Sequence, residues 1–246
     1  MKLLVVNPNQ TQAMTDAVAS AARAAARPGT EILAVTGTFG PQVIGSRAEN
    51  ALAAQGVLDL VARHGAGVDA VVLAVSLDTA LWACRELLDQ PVVGMTEAAL
   101  LTGAMLGTRL GVLTFGARMG PLYRELVEAH GLGGRLAGVV AVEVTPQQAF
   151  SDPARVHDAV RGGIETLVAQ GAEAVLLAGA ALAGMAPQLQ PTAPVPLLDG
   201  IGCAVGMAEM LVHRALPKAR LGSLAPTGGR PVSGVSLPLQ ALFAAR

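Results

Sequence analysis

The chain has 246 residues, of which 52% are hydrophobic, 14% are charged and 2% are aromatic. This composition excludes a disordered chain, because there is enough apolar surface to offset the entropy lost on folding, and it predicts an aliphatic core. A formal net charge of −1 without a basic run excludes the electrostatic signature of nucleic-acid binding, so we expect no nucleic acid partner.

The apolar segments are too short to cross a membrane. Asp78 interrupts the segment that starts at Val68, and Arg109 interrupts the segment that starts at Ala98. The amino-terminal apolar stretch is shorter than a secretory signal requires. We therefore expect a cytoplasmic protein with no membrane partner. The two cysteines and four histidines lie far apart in sequence, which predicts neither a disulfide framework nor a metal site.

Short β-branched runs alternate with Ala/Leu-rich runs of helical period. The predicted strands are residues 3–6, 31–35, 70–75, 91–94, 109–115, 139–144, 174–178 and 195–198. The predicted helices are residues 11–26, 48–64, 79–88, 96–106, 119–130, 153–169 and 201–214. This alternation is typical of βαβ units, so we predict an α/β fold built on parallel sheets.

The chain divides into two similar halves. Residues 67–76 (GVDAVVLAVS) resemble residues 171–180 (GAEAVLLAGA), and each run follows a predicted helix and ends at a strand terminus. Ligands of open α/β sheets bind beyond the carboxyl ends of the strands. We therefore predict two pseudo-symmetric βα lobes with a ligand cleft between them, beside Val75 and Gly179.

The lobe boundaries follow from this division. We assign residues 1–95 together with 200–214 to the first lobe, and residues 96–199 to the second. The Pro/Gly-rich segment 215–246 has no clear period, and we expect it either to be mobile or to wrap a subunit interface.

Several motifs follow one another near the predicted strand ends. They are Asn7-Pro8-Asn9-Gln10-Thr11 with Met14-Thr15, Phe39-Gly40-Pro41, residues 91–98 (PVVGMTEA), residues 111–114 (GVLT) with Arg118, and residues 194–200 (PVPLLDG). In order and spacing they resemble the Asp/Glu racemase superfamily, and within it the hydantoin and allantoin racemase branch. The resemblance extends to about residue 214. It implies two pseudo-symmetric lobes, no cofactor, and a small carboxylate or hydantoin ring bound between the lobes.

The chain departs from this family at two positions. Racemases of the family carry one cysteine at each of two strand ends, on opposite faces of the substrate, and the corresponding residues here are Val75 and Gly179. Cys203 lies in a motif that imitates the second cysteine motif but comes after the last matching segment, and Cys84 lies within a predicted helix. We therefore expect both catalytic cysteines to be absent. Two-base racemisation is disfavoured, since neither valine nor glycine can exchange a proton.

Three polar residues are candidates for catalysis. Ser76 follows a buried strand and offers a hydroxyl and a backbone amide to an oxyanion, unless it is a helix N-cap. Asp78 is the nearest acid, which either acts as a base or orients water, or interacts with the dipole of the next helix. Glu97 follows another strand and either directs water or is a buried structural carboxylate.

The candidates for substrate binding lie at the other strand ends. Asn7 offers its amide to a carboxylate or ring carbonyl, unless it only forms an Asx turn. Ser46 and Arg47 lie in a loop, where Arg47 either pairs with a substrate carboxylate or stays in solvent. The remaining candidates surround the two cysteine-equivalent positions and a third strand end: Val75, Thr114, Phe115, Gly116, Gly179 and Ala180.

From these residues we expect a cofactor-independent enzyme acting on a small hydantoin-like ring or a related carboxylate. The missing cysteine pair favours hydrolytic or lyase chemistry, such as thiohydantoin desulfuration or decarboxylation. Two alternatives remain open: a hydantoin racemase that uses other bases or whose cysteines were replaced, and a non-catalytic protein that binds the same ligand. We expect a small-molecule substrate and a homo-oligomer.

Overall fold

The computed structural model describes residues 1–144, 153–179 and 182–244. They form an α/β fold with two parallel four-stranded sheets. The first sheet has the order β2-β1-β3-β4, with strands β1 (Lys2–Asn7), β2 (Glu31–Thr36), β3 (Ala70–Leu73) and β4 (Val92–Gly94). The second has the order β6-β5-β7-β8, with strands β5 (Leu110–Phe115), β6 (Leu136–Val142), β7 (Ala174–Leu177) and β8 (Leu197–Asp199). The repeated strand order confirms the prediction of two pseudo-symmetric halves, whereas the lobe boundaries stay a prediction.

Helices connect and cover the strands. They are α1 (Gln12–Ala25), α2 (Arg47–His64), α3 (Leu81–Leu87), α4 (Met95–Leu106), α5 (Met119–Ala129), α6 (Pro153–Ala169), α7 (Ala186–Leu189), α8 (Gly200–His213) and α9 (Leu237–Ala244). The predicted order of helices and strands is correct, and α7 and α9 are additional. None of the described helices is both long enough and apolar enough to span a membrane.

Each sheet is buried on both faces. Alternate residues of a strand point to opposite faces, so Leu3 and Val5 pack against α1 and α8, whereas Leu4 and Val6 pack against α2 and α3. The second sheet packs between α4 and α5 on one face and α6 on the other. Burial of both faces is the reason that the strands consist of continuous aliphatic runs.

Two helices cross from one half to the other. α4 follows the first sheet but packs on β7 and β8, and α8 follows the second sheet but packs on α1 and β3. Their amino-terminal ends meet, and a Cβ atom at Gly200 would lie 2.8 Å from Cε of Met95 and 3.0 Å from its carbonyl oxygen. Glycine at this position therefore permits the close approach that holds the halves together.

The carboxy-terminal segment folds back onto the first half. Helix α9 packs against α2, and Leu239 is buried there. Ser236 Oγ donates a hydrogen bond to Asp59 of α2, and Lys218 Nζ donates one to the carbonyl oxygen of Leu88 over 2.7 Å. Helix α9 is too short for its period to identify it in the sequence, since it covers only about two turns.

Candidate functional site

A cavity of about 400 Å³ lies between the two halves, a size common for small-molecule sites. It collects residues that follow the carboxyl ends of β1, β2 and β3 in the first sheet and of β5, β6 and β7 in the second. The described lining residues are Asn9, Met14, Val43, Ile44, Gly45, Ala74, Val75, Ser76, Thr114, Phe115, Gly116, Arg118, Met119, Tyr123, Glu143, Val144, Ala178 and Gly179. The structure confirms a cavity between the two halves at the predicted strand ends, and its role in binding a ligand stays a prediction.

Three hydroxyl groups meet in this cavity, and we call Ser76, Thr114 and Tyr123 the hydroxyl cluster. The hydroxyl of Tyr123 on α5 lies close enough to the side chains of Ser76 and Thr114 for hydrogen-bond interactions with both to lower its pKa. Ser76 follows β3 of the first sheet, whereas Thr114 lies in β5 of the second. Burial raises the pKa of Tyr123 to about 12, although both hydrogen bonds act in the opposite direction. The phenol therefore stays protonated at neutral pH and can act as a hydrogen-bond donor.

Asn9 lines the cavity, whereas Asn7, the predicted ligand contact, is not among the described lining residues. Nδ2 of Asn7 donates to Oδ1 of Asn9 over 3.0 Å and to Oγ1 of Thr15 over 2.9 Å. The amide of Thr11 also donates to Oδ1 of Asn9. Asn7 therefore fixes the loop after β1, and Asn9 is the asparagine of this loop that lines the cavity.

The loop between β2 and α2 forms one wall through Val43, Ile44 and Gly45. Ser46 is the N-cap of α2: its Oγ accepts a hydrogen bond from the amide of Glu49 and donates one to Oε2 of Glu49. Oε2 of Glu49 also accepts a hydrogen bond from the amide of Gly45, which is the main cause of the lowered pKa of this carboxyl group. Ser46 therefore caps α2 and is not among the described lining residues.

Arg47 lies outside this wall. Its guanidinium group forms an ion pair with Glu125 of α5 at the surface, and both side chains are more than half exposed. The arginine among the described lining residues is instead Arg118, at the start of α5. Glu143, which follows β6, also lines the cavity and accepts a hydrogen bond from the amide of Ala117 over 3.2 Å.

Asp78 and Glu97 are not among the described lining residues. The carboxylate of Asp78 accepts hydrogen bonds from the amides of Thr96 and Glu97 at the start of α4, over 3.0 and 2.7 Å. It also lies 3.1 Å from Nε2 of His130. Burial raises the pKa of Asp78, and these hydrogen bonds act against the shift. Glu97 forms a two-point ion pair with Arg85. Both acids therefore lie outside the described lining and are engaged by partners of their own.

Val75 and Gly179 both line the cavity, one from each half. Gly179 has a φ of 137°, a conformation that favours glycine, and an added Cβ there would meet no atom within 4 Å. Phe115 and Gly116 also line the cavity, as predicted for contacts at this strand end. Ala180 lies outside the described residues. That Val75 and Gly179 correspond to the cysteine positions of the family stays a prediction.

Neither cysteine is among the described lining residues. Cys84 is fully buried in α3, and burial raises the pKa of its thiol to about 12. Cys203 lies in α8, where burial raises the pKa of its thiol and the side chain of Thr102 is a hydrogen-bond partner. Both thiols are therefore protonated at neutral pH. In the part of the chain that the structure describes, no three His, Cys, Asp or Glu side chains are grouped to hold a metal ion.

Sequence reasoning did not select four polar lining residues: Asn9, Arg118, Tyr123 and Glu143. Asn9 and Arg118 belong to the motifs that carry the family resemblance, and this was an available signal for both. Glu143 follows a predicted strand, as the selected residues do. Tyr123 lies inside a helix, and only the contact between α5 and the two strand ends brings it to the cavity.

Comparisons with a family model and with known sequences both identify hydantoin racemases as relatives of this chain. The family model described as Asp/Glu/hydantoin racemase matches residues 3–208. The hydantoin racemase of Pseudomonas sp. strain NS671 is 36% identical over 233 residues, which cover 90% of each chain. The hydantoin racemase of Paenarthrobacter aurescens is 33% identical over 215 residues, or 86% of this chain and 91% of the relative.

Solved structures extend the likeness to the fold. Allantoin racemase from Klebsiella pneumoniae superposes with a TM-score of 0.91 at 34% identity, covering 98% of both chains. Arylmalonate decarboxylase gives a TM-score of 0.63 at 18% identity, covering 100% of both chains, and this likeness concerns the fold alone.

Proposed function

We propose that this chain, which belongs to the Asp/Glu/hydantoin racemase family, is an enzyme that converts a small hydantoin-like ring or related carboxylate without using a thiol. The names of its relatives support the ligand class. The cavity volume of about 400 Å³ suits a molecule of this size.

The proposed chemistry rests on the distribution of titratable side chains in the cavity. Among the described lining residues, the titratable side chains are Arg118, Tyr123 and Glu143, and all three come from the second half of the chain. Racemisation by two bases requires a proton-exchanging group on each face of the substrate. The first half contributes apolar side chains, the hydroxyl of Ser76 and the amide of Asn9, none of which exchanges protons readily at neutral pH. We therefore favour reactions that need an oxyanion site and a single proton-transfer group.

Hydrolysis is the first reaction that fits. Glu143 takes a proton from water, whose oxygen adds to a ring carbonyl or thiocarbonyl carbon, and the electron pair moves onto the exocyclic oxygen or sulfur. The hydroxyl cluster stabilises this negative charge by hydrogen bonds arranged in advance. In a thiohydantoin the proton held by Glu143 and the proton of the added hydroxyl then pass to sulfur, the carbon–sulfur bond breaks as the carbonyl forms, sulfur leaves as hydrogen sulfide, and the hydantoin remains.

Decarboxylation also requires an oxyanion site and a single proton-transfer group. The bond between the α carbon and a carboxylate breaks, carbon dioxide leaves, and the electron pair delocalises onto the remaining carbonyl or carboxylate oxygen. The hydroxyl cluster faces that oxygen, and Arg118 pairs with a second carboxylate if the substrate has one. One donor then protonates the α carbon, so a second base on the opposite face is unnecessary.

Racemisation is the second candidate, since the hydantoin racemases from two bacteria are more than 30% identical to this chain. In this case Tyr123 or Glu143 would exchange the proton at carbon 5 of the hydantoin, on the face that the second half supplies. The opposite face would then depend on water, because Val75 and Ser76 provide no base.

Three parallel assays separate these reactions. The purified protein is incubated with L-5-benzylhydantoin, with its 2-thio analogue and with phenylmalonate, and optical rotation, sulfide and carbon dioxide are measured. We expect sulfide or carbon dioxide to appear while the hydantoin keeps its optical rotation. Decay of rotation at enzymatic rates with an intact ring would favour racemisation. Tight calorimetric binding without any turnover would favour a binding protein.

A further inference from the structure

Outside the described cavity lining, four charged or ionisable side chains form a buried to partly buried group, which we call the Asp78 network. It contains Asp78, His130, Glu97 and Arg85. The side chains of Asp78 and His130 are 2% and 5% exposed, so water does not solvate them. Nε2 of His130 lies 3.1 Å from Asp78, and Nδ1 lies 3.8 Å from Glu97, which Arg85 holds from the other side. Burying such groups is costly unless they are paired, and here each one has a partner.

The backbone is strained to place Asp78 there. Asp78 and Ala80 both have left-handed conformations, with φ of 47° and 59°, which are unusual for residues other than glycine. Gly94 makes room for the carboxyl group, since an added Cβ would lie 2.5 Å from Cγ of Asp78. Strain of this kind persists where the surroundings determine one conformation, and it is concentrated near functional sites.

The network is connected to Ser76 in two ways. The amide of Asp78 donates to the carbonyl oxygen of Val75 over 2.9 Å, which closes the turn that contains Ser76. Oγ1 of Thr96 donates to the carbonyl oxygen of Ser76 over 2.7 Å, and the amide of Thr96 is bound by Asp78. The carboxylate of Asp78 therefore fixes the loop that presents the Ser76 hydroxyl to the cavity.

The same network is connected to Tyr123 through α5. His130 is the C-cap residue of this helix, about two turns after Tyr123. Asp78 lies near enough to Tyr123 for its charge to contribute to the raised pKa of the phenol. The Ser76 loop is thus held by Asp78 and Thr96, Tyr123 lies on the helix that His130 caps, and the contact between Asp78 and His130 joins these two supports.

We propose that Asp78 and His130 are a positioning pair that holds the hydroxyls of Ser76 and Tyr123 in register across the two halves. The significance of this pair for turnover rests on the proposed function, but the geometric claim does not. Asp78 acts through the Ser76 loop and His130 acts through α5, and neither touches the substrate. This role accounts for a buried acid and a buried histidine that the proposed chemistry leaves unused.

The chain contains one tyrosine, so a ¹³Cζ-tyrosine label gives a single resonance that reports the environment of the Tyr123 hydroxyl. Two substitutions of His130 form a matched pair. His130→Gln places an amide nitrogen near the position of imidazole Nε2, whereas the side chain of His130→Asn is too short to reach Asp78. We expect the resonance to stay at its original shift in His130→Gln and to move or broaden in His130→Asn.

A control variant separates positioning from general loss of stability. Glu209 is also buried, and it holds the amide of Arg27 and the hydroxyl of Thr30 through Oε1, away from the cavity. Glu209→Gln is expected to lower the thermal midpoint while leaving the tyrosine resonance unchanged. With the substrate found by the assays above, His130→Asn is expected to lower kcat by about 10²-fold, as misplacement of about 1 Å typically does, with a smaller change in KM.

Circular dichroism first establishes that each variant is folded. An unchanged tyrosine resonance in folded His130→Asn would overturn the proposal, as would equal shifts in His130→Asn and Glu209→Gln. If His130→Asn does not fold, the comparison moves to Asp78→Asn, whose amide nitrogen cannot accept the hydrogen bonds of the carboxylate, and the same shift is expected. Failure of the proposed function would leave these spectra unaffected, because they require no substrate.

Discussion

In the proposed mechanism, three hydroxyl groups of the cavity stabilise negative charge on the bound ligand. Tyr123 is the central member, because it contacts both Ser76 and Thr114 and burial keeps it protonated. A donor that is already in place does not have to reorient during the reaction, and this is the physical source of its catalytic value.

We predict that Tyr123→Phe and Ser76→Ala each lower turnover by about 10² to 10³, the usual cost of removing one oxyanion donor. Ser46→Ala is the control, because it removes only a helix cap and should cost about 1 kcal/mol of stability with turnover retained. Turnover and thermal midpoint are measured for all three variants. Normal kinetics together with a lower midpoint in Ser76→Ala would assign Ser76 a purely structural role.

Glu143 is the carboxylate among the described lining residues, so the proposed hydrolysis depends on it. Glu143→Gln keeps the size and polarity of the side chain but removes its capacity to accept a proton. We predict a fall in kcat of about 10² to 10⁴, the range of general-base catalysis, with ligand affinity measured by calorimetry little changed. A variant with normal kcat would exclude Glu143 as the base.

Because Tyr123 titrates at alkaline pH, we expect the free energy of unfolding to fall as the pH rises in that range. The pKa of Tyr123 rises from 10.0 to about 12 on folding, so the folded state holds the proton more tightly than the unfolded state. The resulting stabilisation, roughly 2 to 3 kcal/mol, is complete below about pH 10 and is lost as the pH rises through about 12. Urea denaturation from pH 9 to 12 should show a steeper loss of unfolding free energy for the wild type than for Tyr123→Phe. Parallel curves would contradict this.

Among larger elements, the loop after β3 depends on a glycine in the neighbouring strand. Gly94 ends β4, and the Asp78 carboxyl group occupies the space where a side chain would begin. In the second half, the carboxylate that caps the next helix comes from the corresponding strand itself. Asp199 ends β8 and accepts hydrogen bonds from the amides of Ile201 and Gly202 at the start of α8. The first half instead obtains its capping carboxylate from the preceding loop.

Gly94→Ala should therefore displace Asp78. A Cβ atom at 2.5 Å from Cγ of Asp78 is far inside van der Waals contact, so either the loop or the strand has to move. We predict a destabilisation of about 1 to 3 kcal/mol, typical of overpacking, measured as a lower urea midpoint. Gly206→Ala in α8 is the control, because no atom lies within 4 Å of its added Cβ. Equal midpoints for the two variants would contradict the packing argument.

The sequence predicted elements well where one strong physical pattern determines them. Strands buried on both faces consist of continuous aliphatic runs, so their order was correct. The start of β6 at Leu136 was missed, because Gly138 interrupts its apolar pattern. Helix α9 was missed because it is short, and its stability comes from contacts with α2 rather than from its own period.

The residues that line the cavity were predicted at the level of strand ends, but their hydrogen-bond and ion-pair partners were not. Ser76, Thr114 and Val75 line the cavity because strand ends of parallel sheets converge there. The sequence could not show that Glu125 engages Arg47, or that α4 and His130 engage Asp78, since these partners are distant in sequence. Asn7 and Asn9 differ for a similar reason, because the hydrogen bonds of the folded loop decide which amide is available.

At the scale of the whole molecule, the two halves share a fold but contribute different chemistry. The first half supplies Asn9, Ser76 and an apolar wall, and the second supplies Arg118, Tyr123 and Glu143. A pseudo-symmetric scaffold thus holds an asymmetric cavity. This asymmetry is the basis for favouring one-sided chemistry over proton exchange on two faces.

The most direct test of thiol-independent action is the turnover of a protein without cysteine. The chain has two cysteines, so Cys84→Ala combined with Cys203→Ala removes every thiol. Because Cys84 is buried and neither residue is among the described lining residues, the double variant should be less stable but should retain wild-type turnover within several-fold at a temperature where it is folded. A loss of about 10²-fold or more in the folded variant, with Tyr123→Phe still active, would contradict the account.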